Sequence, residues 1–189
     1  MIEKVLSLGL LFACAGCLSL TATNPTIAEW PLRAGTLARR EDAPKFGVTR
    51  LTQVVVRAPY DARQMEVSRA DNTLASDSFN RFAALPSHLL KGVAQDVLAA
   101  SGVFKSVVSS SSAASASHVA ELTVTEWRLD CASGTREAAV SLDLLVLDRN
   151  REIVALVSGN SRAEAADGDY GSAFSTAFTL ALEKALGGL

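Results

Sequence analysis

Two alternating runs, separated by turn-forming residues, constrain the fold of this chain more than any other feature. Ala120, Leu122 and Val124 alternate with Glu121, Thr123 and Thr125, and Val140, Leu142, Leu144 and Val146 alternate with Ser141 and Asp143. Residues two apart share a strand face, so each run presents one apolar face and one that water can wet. Asp130, Ser133 and Gly134 supply a turn between them, and a third run over residues 152–158 follows the hairpin connection Asp148–Arg149–Asn150–Arg151. The three strands form a meander with one face to bury. Trp127 falls off the apolar series: either a bulge re-aims it inward or it stands on the opposite face.

The remaining elements follow from spacing. Residues 51–58 have the β-branched density of a strand, with Val54 and Val56 on one face, ended by Pro59–Tyr60–Asp61. Short strands are expected around residues 65–68 and 73–76. Pro86 suits the first turn of a helix, where a missing N–H costs little. Leu89, Leu90, Val93, Val97 and Leu98 form its stripe, and Gly102 its stop. Residues 104–108 precede a Ser/Ala-rich loop over 109–117. A last helix is expected from near Ser172, with Phe174, Phe178, Ala181, Leu182 and Ala185 inward and Gly187–Gly188 at its end. This order predicts an α+β single domain over residues 48–189. Its sheet is largely antiparallel, with parallel contacts where the first helix crosses over, and both helices pack on one face.

The N-terminus reads as a lipoprotein export signal over residues 1–16. Val5–Leu6–Ser7–Leu8–Gly9–Leu10–Leu11–Phe12 is far shorter than the roughly 20 residues that span a bilayer, and Ala13–Cys14–Ala15–Gly16–Cys17 follows. Cys17, after Ala15 and Gly16, is the preferred lipidation site; Cys14 is its rival. Three acyl chains on Cys17 would anchor it firmly, since each buried methylene contributes about 0.8 kcal/mol and two chains suffice. Leu18 is not the aspartate that retains lipoproteins in the inner membrane, which favours the periplasmic face of the outer membrane. Residues 17–47, with Pro25, Pro31, Gly35, Pro44 and Gly47, read mostly as a tether, with Trp30–Pro31–Leu32 as a short edge strand.

Composition excludes several classes of function. A formal charge of −2 argues against a nucleic-acid partner. With Cys14 removed and Cys17 acylated, only Cys131 remains, so stability rests on packing and not on a disulfide. Beside Asp130, that thiol is expected to have a raised pKa and to be inert. His88 on a helix and His118 at the mouth of a strand accompany no hydrolase, zinc or phosphate-loop motif. Asp148–Arg149–Asn150 lacks the glycine and distal glutamate of a calcium loop. No catalytic residue, cofactor or metal is expected. Trp127, Phe79, Phe82, Phe174 and Phe178 read as core aromatics, with an exposed apolar groove as the functional alternative.

Several motifs from residue 51 onward resemble the ABC-type transport auxiliary lipoproteins, the group that includes paraquat-inducible protein C. They are Val54–Val55–Val56–Arg57–Ala58–Pro59–Tyr60, Ser68–Arg69–Ala70–Asp71–Asn72, Asn80–Arg81–Phe82–Ala83–Ala84–Leu85–Pro86 and Glu121–Leu122–Thr123–Val124–Thr125–Glu126–Trp127, with an Ala-rich closing helix. Phe82 stands where the family usually has Trp, and Leu85 lengthens the aromatic-to-proline spacing by one residue. The resemblance implies a non-enzymatic component of lipid or hydrophobic-compound transport. Its partners would be an ABC permease/ATPase complex and an MCE-domain protein that bridges the periplasm, with homo-oligomerisation left open. The alternatives are an envelope scaffold or assembly factor unrelated to transport, and a hydrolase with an unrecognised Ser/His pair.

Overall fold

The computed structural model describes residues 26–36, 43–71, 73–132 and 134–189. The elements run β1 (Ala28–Trp30), β2 (Phe46–Val56), β3 (Gln64–Ser68), β4 (Leu74–Phe82), α1 (Pro86–Ala100), β5 (Phe104–Ser109), β6 (His118–Asp130), β7 (Glu137–Leu147), β8 (Ile153–Glu164) and α2 (Tyr170–Gly187). The domain is α+β, with eight described strands in one mixed sheet. Residues 1–25, including Cys14 and Cys17, lie outside the described residues.

β6 is the hub. Along one side it pairs in parallel first with β2, Leu51 opposite Ala120 and Val56 opposite Val124, and then with β3, Val67 opposite Leu129. β2 and β3 therefore lie end to end beside β6, with the turn at residues 57–63 between them. The other side of β6 carries the antiparallel meander through β7 to β8. β5 flanks β2 in parallel, after α1 has returned the chain, while β4 pairs antiparallel with β3 and β1 adds to β4 in parallel. One end of the sheet thus runs β5-β2-β6-β7-β8 and the other β1-β4-β3-β6-β7-β8.

One bulge decides how the core is built. Ala120, Leu122 and Val124 point inward; the register then shifts between Val124 and Glu126, and Trp127 and Leu129 take up the inward positions. The Trp127 ring stacks obliquely on Phe174 at 4.7 Å and meets Phe82 at 5.7 Å and Phe178 at 6.3 Å. Both helices turn apolar stripes to this face, Leu90, Val93 and Val97 from α1 and Phe174, Phe178 and Leu182 from α2. α2 lies very close to β8, because Gly159 faces it: a Cβ there would stand 1.9 Å from the Ala181 carbonyl oxygen.

The helix ends follow local chemistry. Pro86 opens α1, and the Asp61 carboxylate accepts from both the backbone N–H and the hydroxyl of Ser87 at 3.0 Å. Gly102, at φ +75°, ends it. Asp169 caps α2, accepting from the Ser172 N–H at 2.9 Å. The Ser/Ala-rich loop is organised by Arg50, whose guanidinium donates to the carbonyls of Ser112 at 2.6 Å and Ala114 at 2.5 Å.

Several expectations change, among them the start of the fold, which is β1 at Ala28 and not residue 48. β4 runs on to Phe82 and β8 to Glu164. Phe79, read as a core aromatic, is 51% exposed, because it sits on the outward face of β4. The short edge strand is Ala28–Trp30 rather than Trp30–Pro31–Leu32. Residues 31–35, assigned mostly to a tether, pack on α2.

Candidate functional site

The N-terminal segment lies in a groove against the first turns of α2. Trp30 donates from Nε1 to Asn80 Oδ1 at 3.1 Å and meets Tyr170 edge-on at 5.6 Å. Beyond Trp30 the chain leaves the sheet, and its N–H groups need other acceptors. Ser175 and Thr179 provide them: Arg33 N–H donates to Ser175 Oγ and Gly35 N–H to Thr179 Oγ1, both at 3.1 Å. Each hydroxyl in turn donates to the carbonyl four residues back, Gly171 and Ser175 respectively. Gly171 permits the approach, since a Cβ there would stand 2.9 Å from the Pro31 carbonyl oxygen. A groove of about 440 Å³ remains beside this contact, lined by Trp30, Pro31, Arg33, Asp169, Ser172 and Thr176 among others. Asp169 is committed to its cap, so the groove offers one cation and hydroxyls without a base.

The bulge sends Glu126, Arg128 and Asp130 to the outward face. Arg128 bridges Glu126 at 2.8 Å and Asp130 at 3.2 Å, and Arg162 bridges Asp130 at 2.9 Å and Glu137 at 3.3 Å. The Ala132 N–H, then Arg162 and Arg128, hold the Asp130 carboxyl below its usual pKa against the opposing effect of burial. Every charge in this ladder has an opposite partner. It clamps β6, β7 and β8 together.

The other residues singled out from sequence do not assemble into a site. His88 is exposed on α1. His118 opens β6, with the Ser117 hydroxyl 2.9 Å from Nδ1 and the Phe46 ring edge-on at 5.3 Å. Ser117 also donates to the Val48 carbonyl at 3.1 Å. The Val48 carbonyl also accepts from the Ser117 backbone N–H at 2.8 Å, and which way the Ser117–His118 bond runs is set by the imidazole tautomer. Cys131 is half-buried, and burial, more than Asp130, pushes its thiol up, with Arg136 opposing. Asp148 Oδ1 accepts from the N–H groups of Asn150 and Glu152 at 2.8 and 2.9 Å, which closes a hairpin tip. Among the described residues no cluster of three His, Cys, Asp or Glu could hold a metal ion, and no helix is long and apolar enough to cross a membrane.

Known proteins echo the architecture and little of the sequence. No family model matches the chain, and no curated protein matches it significantly. Protein XCC0632 from Xanthomonas campestris, of the family DUF330, superposes with a TM-score of 0.63 at 16% identity, over 85% of this chain and 90% of that one. A second solved structure, of an uncharacterised protein, gives 0.59 at 12% identity, over 86% and 95%. The likeness is one of fold.

The docking of residues 31–35 was the feature that sequence spacing left unread. Its signal was present: Gly171, Ser175 and Thr179 recur every four residues on a helix otherwise rich in alanine and phenylalanine. Small and hydroxyl side chains on a buried helical stripe admit a neighbouring backbone and satisfy it.

Proposed function

We propose that this chain is a non-enzymatic lipoprotein, anchored through Cys17 at the periplasmic face of the outer membrane. There it serves an ABC/MCE-type system that moves lipid or hydrophobic compounds between membranes, docking the periplasm-spanning partner. The observation that carries the anchoring is the spacing between the lipoprotein signal and the fold: Cys17 stands only ten residues before Ile27, at the mouth of β1. A domain held so close to its acyl chains is suited to work at a membrane surface.

The transport role rests on the resemblance, whose quoted motifs fall on core, strand-end and helix-start positions of the fold. Val54–Val55–Val56 ends β2, Asn80 receives Trp30, Phe82 enters the aromatic core, and Pro86 opens α1. Crosslinking in cells, followed by identification of the captured envelope protein, tests the reading. Recovery of an MCE-domain or transporter component is expected; capture of only unrelated envelope proteins from membrane-bound material would sink it.

A further inference from the structure

We propose that the β1–β4 corner of the sheet rests on the lipid surface itself, with Ile27 and Phe79 entering the zone between headgroups and acyl chains; this rests on the Cys17-anchored reading above. Ala28 pairs with Asn80 and Trp30 with Phe82 in parallel register. Trp30 faces α2, where it meets Tyr170, so the alternate residues of both strands face outward. Ile27 and Phe79 each come one residue before a paired position, Ala28 and Asn80, and so stand at the same corner of the sheet. Ile27 is 47% exposed and Phe79 51%. An adjacent aliphatic and aromatic pair, open to solvent where the chain enters the fold, calls for an apolar neighbour.

The surroundings match a headgroup region. Arg63 and Arg81 share Glu29, at 2.9 and 2.5 Å, on the same face. Two guanidinium groups on one carboxylate leave one positive charge and free N–H groups for phosphate oxygens. Asp77, the acid nearest Phe79 in sequence, is turned to the backbone, accepting from the N–H groups of Phe79 at 2.7 Å and Asn80 at 3.0 Å. Ten residues of extended chain span at most ~35 Å, so an acylated Cys17 keeps this corner within that distance of the bilayer. Two side chains would bind lipid weakly from solution. Attached to the membrane, the same contact becomes intramolecular and needs little affinity to stay occupied.

A larger set of exposed apolar residues, Ile153, Val154 and Leu156, lies on β8 at the opposite edge of the sheet. Five strand spacings, ~24 Å, separate it from β1. It serves as the internal control.

The test uses the full acylated chain carrying Cys131→Ser and either Phe79→Cys or Leu156→Cys, labelled with an environment-sensitive fluorophore. The protein is reconstituted in phosphatidylethanolamine–phosphatidylglycerol vesicles containing brominated lipid. The probe at position 79 should be quenched and that at 156 should not, and adding Ile27→Asp should remove most of the quenching. Absence of quenching at 79, equal quenching at both positions, or insensitivity to Ile27→Asp would overturn the proposal. So would a probe at 79 that responds only to added envelope protein, which would mark a protein interface. Acyl content of Cys17 is measured in the same samples. An acylated protein with no lipid contact at 79 defeats this inference alone, whereas an unacylated protein defeats the anchoring reading and the inference with it.

Discussion

Trp127 is buried to 1% exposure among three phenylalanines, yet its indole N–H has no hydrogen-bond acceptor among the described residues. Its contribution is therefore packing area reduced by the cost of an unsatisfied donor. Trp127→Ala should cost about 3–5 kcal/mol in chemical denaturation. Trp127→Phe, which removes the donor and keeps a ring, should cost about 1–2 kcal/mol; equal losses for the two variants would contradict this balance. Asp130 contributes differently. Its folded carboxyl titrates below the ordinary aspartate value, so its stabilisation is complete above an unfolded pKa of about 3.9 and is lost as pH falls through the lower folded value. Asp130→Asn should lower stability at neutral pH by about 1–3 kcal/mol and flatten the acid side of the stability profile. An unchanged acid limb would show that the ladder's charges are dispensable.

Among the elements, β8 and α2 show how a small residue sets a layer spacing. Because a Cβ at position 159 collides with the Ala181 carbonyl, a backbone atom that cannot rotate away, Gly159→Val should destabilise by about 1–3 kcal/mol. Thermal melting should register this as roughly 2–4 °C per kcal/mol; an unchanged midpoint would mean that the layers can part freely. The meander was legible in sequence because its strands are half-buried and alternate cleanly. Trp127 narrowed to two positions because only a bulge could bring it inward. The outward end of β4 was not legible, since Asp77, Ser78 and Phe79 carry no alternation in a strand whose outer face is wet. The parallel pairs β2–β6 and β3–β6 were hidden for another reason. Parallel neighbours are set by distant crossovers, and β2 and β3 act as one interrupted strand that no local pattern announces. The chemistry of Cys131 and Asp148 could be weighed from neighbours in sequence, whereas in the candidate site the seat of residues 31–35 depended on helix residues 142 and 144 positions away.

For the molecule as a whole, the placement of β1 redraws the connection between anchor and domain. A tether over residues 17–47 would let the domain roam; a fold that begins at Ala28 leaves ten residues between Cys17, the proposed attachment point, and the sheet. The charged ladder, the aromatic core and the seat of residues 31–35 on α2 hold the described residues together as one body. On the proposed reading, position at the membrane is what this domain would contribute. Mass spectrometry of the mature N-terminal peptide from membrane-extracted protein tests this most directly. The account predicts that the chain begins at Cys17 and carries three acyl chains, and that Cys17→Ser releases the domain from the membrane. A mature chain beginning at Cys14 would move the attachment point, and an N-terminal peptide carrying no acyl chain at either cysteine would contradict the account.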